Sequence, residues 1–189
     1  MKEKIGFFDI DGVVADTGTA MIEIVQKELD KPWVKIEDIT EYEITRLSWL
    51  NEFEIEFLLT KFTQPDFYIN IPPMPDAAKV TEILSKAGWK IIFVTARPPY
   101  LRELTFYWLK NNDFYFDQLI VTNPQEKINY CVNSHKCFFV EDRPDVITKI
   151  AMEMPKMKIF VYDQPWNRYV KVGKRIKRLK EILEVMNKL

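Results

Sequence analysis

The hydrophobic pattern of the chain alternates between two periods. Short apolar runs with no polar face occur at 5–10, 90–95, 118–122, 137–140 and 158–162. Runs of this length fit strands covered on both sides in a parallel sheet. Between them, apolar positions recur three and four residues apart, as on one helix face. Met21, Ile22, Ile24, Val25 and Leu29 form such a face over 17–29, with Thr17 and Thr19 as capping residues and Pro32 as the stop. Further helices are predicted over 76–87, closed by Gly88 at the C′ position, and over 100–111 and 145–152. A final helix is predicted over 173–189, with Ile176, Leu179, Leu183 and Met186 on one stripe.

Strands alternating with helices predict an α/β fold, a doubly wound parallel sheet with right-handed crossovers. One stretch breaks the rhythm. From 33 to 62, Trp33, Tyr42, Trp49, Phe53, Phe57 and Phe62 are interleaved with acids, and strand signals are weak. Leu47, Leu50, Phe53, Ile55, Phe57, Leu58 and Leu59 suggest one or two short amphipathic helices there. Pro65, Pro72, Pro73 and Pro75 then read as extended linker. The expected organisation is a core of 1–16 and 74–189 with a small helical cap, 17–73, inserted after the first strand.

Composition narrows the class. The 189 residues suit one domain or a core with a modest insertion, and 47% apolar residues favour a packed core over disorder. A net charge of −1 gives no overall attraction to nucleic acid or anionic membrane, and no apolar run is long enough to span a bilayer. Lys171, Lys174, Arg175, Lys177, Arg178 and Lys180 read as the solvated face of the last helix. Cys131 and Cys137 lack Cys-x-x-Cys spacing, so reduced thiols in a cytoplasmic protein without a signal peptide are expected. His135 stands alone, which argues against zinc and for a loop or surface position.

The candidate chemistry collects at strand ends. The first run stops at Asp9 and Asp11, followed at once by Gly12. Sites in open α/β sheets lie just beyond the carboxyl ends of the strands. Two neighbouring carboxylates repel and call for a proton or cation between them; with hard oxygen donors and no thiol or imidazole nearby, the cation would be Mg²⁺. Taken alone, the pair fits a turn or helix cap as well. Thr95 ends the second run, followed by Ala96, Arg97 and Pro98; Glu141 and Asp142 follow the fourth, with Asp145 close behind; Lys127 lies in the loop after the third. Two carboxylates, a hydroxyl, an ammonium and an acidic pair are what phosphoryl transfer through an aspartyl-phosphate requires.

The set Asp9-Ile-Asp11-Gly-Val-Val, Thr95, Lys127 and Glu141-Asp142 resembles the four motifs of the haloacid dehalogenase superfamily, in their order and on the corresponding elements. A response-regulator receiver also uses Asp, Thr and Lys, but it places no acidic pair after the Lys, as Glu141-Asp142 stands here. The resemblance implies that Asp9 is the nucleophile and Asp11 the acid and base, with an acid at position 11 favouring phosphatase over dehalogenase chemistry. It implies Mg²⁺ held by Asp9, the Asp11 carbonyl and Asp142, with Glu141 and Asp145 acting directly or through water. Thr95, the Ala96 N–H and Lys127 would hold the phosphoryl oxygens. A lysine on the surface is the alternative for Lys127.

Within the superfamily, the insertion after the first motif is similar to the cap of the 5′(3′)-deoxyribonucleotidase family. So are Pro65-Asp66-Phe67-Tyr68, Pro73-Met74-Pro75-Asp76-Ala77, Glu141-Asp142-Arg143-Pro144-Asp145 and Tyr162-Asp163-Gln164-Pro165-Trp166-Asn167-Arg168. Thr95-Ala96-Arg97-Pro98 departs from a more usual Thr-Ser, and Glu141 replaces an Asp. A nucleotidase cap needs aromatic faces for a base. Phe67, Tyr68, Trp49, Phe53 and Tyr42 are candidates, though a small cap needs aromatic residues for its own core too. Arg97 and Arg168 could contact substrate or form surface ion pairs. The resemblance implies a Mg²⁺-dependent phosphomonoesterase acting on small (deoxy)nucleoside monophosphates and is compatible with a homodimer. Another small phosphate ester, a nucleic-acid 3′-phosphate, and a catalytically silent binding protein are the alternatives.

Overall fold

The apolar runs of the sequence become strands β1 (Lys4–Phe8), β2 (Trp89–Thr95), β3 (Gln118–Val121), β4 (Cys137–Glu141) and β5 (Lys158–Tyr162) in the computed structural model, which describes residues 3–186. A further short strand, β6 (Lys174–Ile176), completes a sheet in the order β3-β2-β1-β4-β5-β6, parallel throughout. Seven helices connect or follow the strands among the described residues: α1 (Thr17–Glu28), α2 (Glu52–Lys61), α3 (Pro65–Ile69), α4 (Ala77–Lys86), α5 (Arg102–Asn111), α6 (Pro144–Glu153) and α7 (Glu181–Met186). This is the doubly wound α/β fold that the alternation of patterns predicts.

Side chains on successive strand residues point to opposite faces, and each face has its own helices. Phe8, Phe93, Phe138 and Phe160 pack with residues of α4, α5 and α7. Phe7, Ile92, Phe139 and Val161 pack with Val146, Ile147 and Ile150 of α6. Gly6, on the central strand, lies opposite Phe138 of β4. A Cβ at Gly6 would stand 2.5 Å from the Phe138 ring, so this residue makes room for the aromatic layer.

Two sequence expectations need correction. The predicted helix over 173–189 is instead β6, a turn and the shorter α7; its last residues, 187–189, lie outside the described part. Gly173 has φ +78° and fits against Val161 and Ile159, which lets Ile176 join the sheet edge beside Tyr162. Arg175, assigned by pattern to a solvated helix face, is half-buried and donates to Asp163 Oδ1 at 2.8 Å and Asn167 Oδ1 at 2.7 Å. The stretch from Pro65 is not simply extended linker either. Pro65 opens α3, where a missing N–H and a fixed φ suit the first helical turn.

The chain leaves the sheet after β1 and returns to it through a narrow neck. Asp16 N–H donates to the Pro72 carbonyl, and Met74 N–H to that of Val14, each at 2.8 Å, with Ala15 and Pro73 paired antiparallel. The residues between carry α1, α2 and α3. Asn51 and Glu54 cap α2 reciprocally, each side chain accepting the other's backbone N–H. Met21, Val25, Leu47 and Leu58 form a separate apolar cluster within this segment, and Trp166, from beyond β5, joins it.

Overpacking the central strand should be costly. Gly6→Ala is expected to lose about 1–3 kcal/mol, the usual range for forcing extra volume into a filled core. Urea unfolding of both proteins measures this. Equal midpoints would show that the Phe138 ring can move aside without cost.

Candidate active site

The strand order reverses direction at β1, and the carboxyl ends of β1 and β4 lie side by side there. This is the position where open α/β sheets form their crevice. The ladder runs on to Asp9, whose N–H donates to the Val140 carbonyl at 3.0 Å, and the Asp9 side chain is buried. Lys127 lies on the turn Pro124–Tyr130, which Asn123 caps by accepting the Glu126 N–H. Its buried ammonium stands 2.9 Å from Asp9 Oδ1 and donates to Glu141 Oε2 at 2.8 Å. Glu141 Oε1 accepts the N–H groups of Asp142 and Arg143 at 3.2 and 3.1 Å, so both its oxygens are occupied.

Asp142 differs in one respect. Its Oδ2 accepts the Trp166 indole N–H at 3.0 Å, while its buried Oδ1 has no partner. One oxygen from each of Asp9, Glu141 and Asp142 falls within 4.8 Å of the others. If all three buried acids were ionised, the single ammonium of Lys127 would leave two negative charges uncompensated. Arg143 does not supply the balance, being paired to Asp145 at 2.7 Å. Burial and the Glu141 charge push the Asp9 carboxyl well above its ordinary range, against the pull of Lys127. Asp142 moves the same way through burial and the charges of Glu141 and Asp9. Gly12 makes this crowding possible: it holds φ +74°, and a Cβ there would sit 2.3 Å from Asp142 Oδ2.

Asp11 is paired separately. Arg97 donates to both its oxygens at 2.8 Å, and the Thr17 hydroxyl donates to Oδ1 at 2.9 Å. Burial raises its carboxyl, but the Arg97 charge and hydrogen bonds outweigh this and hold it below the ordinary range. The Arg97 guanidinium is buried, stacked over the rings of Tyr68 at 4.7 Å and Trp108 at 5.6 Å. Thr95 Oγ1 accepts the Arg97 N–H at 3.1 Å.

Asp9, Asp11, Thr95, Ala96, Lys127 and Asp142 face one cleft of about 350 Å³. Phe67, Tyr68, Arg97 and Tyr42 line it too, with Tyr42 under the Arg143 guanidinium at 4.6 Å. Phe67 also lines a second hollow of about 430 Å³, outside the first and between α1, α2 and α3.

Four candidates from the sequence are not brought to the cleft. Asp145 faces Arg143 with its side chain 56% exposed, apart from the three buried carboxylates. Trp49 is tied down by its indole N–H to the Asp38 carbonyl and packs edge-on to Trp33. Phe53 sits on the outer face of α2, 85% exposed, and Arg168 is exposed. His135 is exposed, and Cys131 and Cys137 are free.

Conversely, the structure adds residues that motif reading left without a role. Gln164 donates to the Gly12 carbonyl at 2.8 Å; Asn167 donates to the carbonyls of Asp142 and Tyr162, both at 2.8 Å; Trp166 holds Asp142. The signal was available: these polar residues follow β5 as Asp9 follows β1 and Asp142 follows β4.

A six-stranded α/β sheet with Asp, Thr, Lys and an acidic pair at adjoining strand ends defines a haloacid dehalogenase-type hydrolase. Residues 3–189 match the family described as 5′ nucleotidase, deoxy (pyrimidine), cytosolic type C. The chain belongs to this family and is, with it, a phosphoric monoester hydrolase. A relative from Halalkalibacterium halodurans, named "Putative nucleotidase BH1399", is 27% identical over 172 residues, spanning 88% of this chain and 83% of its own. Two solved structures share the fold at low identity. A haloacid dehalogenase-like hydrolase from Streptococcus pneumoniae has TM-score 0.67 and 14% identity, covering 97% of this chain and 98% of its own. A predicted phosphoglycolate phosphatase from Haemophilus somnus has TM-score 0.63 and 15% identity, covering 98% and 99%.

The charge imbalance has a measurable consequence. Asp142→Asn removes one uncompensated buried charge and leaves an amide oxygen to accept from Trp166. Thermal unfolding in excess chelator should show the variant melting higher, by about 2–4 °C for each kcal/mol gained at this chain length. A lower melting temperature would mean that the carboxylate is better compensated than its partners indicate.

Proposed function

We propose that the chain is a Mg²⁺-dependent nucleotidase that removes phosphate from small (deoxy)nucleoside monophosphates through an aspartyl-phosphate. In this reading 17–73 is a cap over the core of 1–16 and 74–189. The observation that carries it is the buried group of Asp9, Glu141 and Asp142 around Lys127, with one Asp142 oxygen unpartnered, beneath an aromatic cleft. Uncompensated hard oxygen donors of this kind fit a divalent cation, and Mg²⁺ in particular. Asp9, the Asp11 carbonyl and Asp142 would hold it, while Glu141, saturated by Lys127 and two N–H groups, holds the turn that presents Asp142. The cation would supply charge neutralisation for the carboxylates and the incoming phosphate.

The side chains divide the remaining work. An Asp9 oxygen attacks phosphorus as the ester P–O bond breaks, and Asp11 gives its proton to the leaving oxygen. Asp11 then takes a proton from water, whose oxygen attacks the phosphorus of the aspartyl-phosphate, releasing inorganic phosphate and restoring Asp9. For the first of these steps Asp11 must be protonated, so its pair with Arg97 has to loosen; the substrate phosphate offers Arg97 another anion. Thr95, the Ala96 N–H and Lys127 neutralise and orient the phosphoryl oxygens.

The cleft supports the substrate class. At about 350 Å³ it lies at the small end for ligand sites, which suits a mononucleotide better than a nucleic-acid end. Phe62 and Phe67 give it an apolar wall for a flat base, and a small acid such as phosphoglycolate would leave that wall unused.

Phosphate release from ribo- and deoxynucleoside 5′- and 3′-monophosphates, phosphoglycolate and an aryl phosphate, with and without Mg²⁺, tests this. Metal-dependent turnover of nucleotides is expected, abolished in Asp9→Asn. Asp11→Asn should lower kcat by about 10²–10⁴ and let a phosphorylated protein accumulate on the aryl phosphate, visible by mass spectrometry. Turnover of phosphoglycolate and of no nucleotide would overturn the substrate, and an active Asp9→Asn would overturn the mechanism.

A further inference from the structure

The stretch 168–180 carries seven cations in thirteen residues and no acid, so the rest of a chain of net charge −1 is acidic. Pattern alone assigns these cations to a helix face; the structure gathers them on the open edge of the sheet. β6 pairs with β5 alone, and the connection between the two strands folds back against it. Arg175 secures that fold. Besides Asp163 and the Asn167 side chain, it donates to the carbonyls of Asn167 at 2.9 Å and Val170 at 3.1 Å. Val170 is buried in the cluster that contains Ile159 and Val161, and Gly173, at φ +78°, turns the chain into β6. The six remaining cations, Arg168, Lys171, Lys174, Lys177, Arg178 and Lys180, are exposed and form no ion pair among the described residues. One acid lies beside them: Glu181, whose Oε1 accepts the backbone N–H groups of Lys177 and Arg178. Tyr169, 68% exposed, stands between Arg168 and Lys171 in the chain.

A lysine on an edge strand keeps a second edge away, which accounts for Lys174. It does not account for the charges before and after β6, where no ladder is open. Like charges gathered on one edge repel one another, and an anionic partner relieves that repulsion. We propose that this edge is an interaction surface for single-stranded nucleic acid, its cations meeting successive phosphates and Tyr169 stacking on a base. Positively charged grooves with aromatic side chains bind single strands in this way, with little regard to sequence. A membrane-surface segment would instead present a bulky apolar face to bury among lipids. Here Tyr169 and Val172 are the exposed large apolar side chains of the stretch. The edge shares no residue with the lining of the cleft, so the inference does not depend on which ester the cleft hydrolyses.

Fluorescence anisotropy of a labelled oligothymidylate without terminal phosphates, titrated with the full chain at several salt concentrations, tests this. The oligonucleotide should bind, with log affinity falling linearly in log salt and each phosphate contact adding about 0.7 to the slope. Lys174→Gln, Lys177→Gln and Lys180→Gln together should weaken binding and flatten the slope by about 2. Tyr169→Ala should weaken binding by about 5–150-fold, the cost of one stacked base, and leave the slope unchanged. Because these side chains are exposed, the variants are expected to keep the melting temperature and the phosphate release of the parent. No binding at low salt, affinity independent of salt, or a triple variant that binds like the parent overturns the inference. Equal binding of phosphatidylserine vesicles overturns it too, since such a surface would read charge alone. Should the triple variant not fold, Lys177→Gln by itself decides: the slope flattens by about 0.7, or the inference fails.

Discussion

Asp9, Glu141 and Asp142 are held out of water around one ammonium, and the surrounding architecture is arranged to tolerate that charge. An uncompensated buried carboxylate is costly unless it is paired or hydrogen-bonded. Each acid here is managed differently. Asp9 leans on Lys127; Glu141 divides its oxygens between Lys127 and two N–H groups of the following turn; Asp142 receives one indole N–H and stays otherwise uncompensated. The arrangement depends on two strands ending side by side and on Gly12, where any side chain would collide with Asp142.

How far the sequence could be read depended on whether the meaning of a residue was local. The sheet was legible because runs such as 90–95 and 158–162 lack a polar face, whatever packs on them. Asp9, Thr95 and Glu141-Asp142 were legible as a set because each ends such a run, and parallel strands carry their ends to one rim. Other features depended on distant partners. Arg97 could be a substrate contact or a surface ion pair in sequence; in the structure it clamps Asp11, 86 residues away, between two aromatic rings. Trp49 and Phe53 have the right chemistry for a base, but composition does not say which way a ring faces. At the C-terminal end, Ile176 has helical spacing with Leu179, yet the left-handed turn at Gly173 and the bonds of Arg175 place it on the sheet edge.

The segment carried on the neck is joined to the sheet by more than its two chain crossings. Thr17, the first residue of α1, bonds Asp11; Tyr68 of α3 stacks on Arg97; Trp166 enters its apolar cluster from the far end of β5. Every one of these contacts ends on a residue at or beside the buried charges. Displacing the segment therefore disturbs the partners of Asp11 and Asp142 together, and with them the packing of Tyr68 and Ile71 on the α5 side of the core.

Phe67 lines both the cleft and the outer hollow, and it is the one residue their linings have in common. The boundary the two spaces share therefore runs through a side chain. A lineage carrying this fold can enlarge or shrink its chamber by exchanging that ring for a smaller or bulkier one, with the strand ends untouched. Chemistry and capacity are inherited separately.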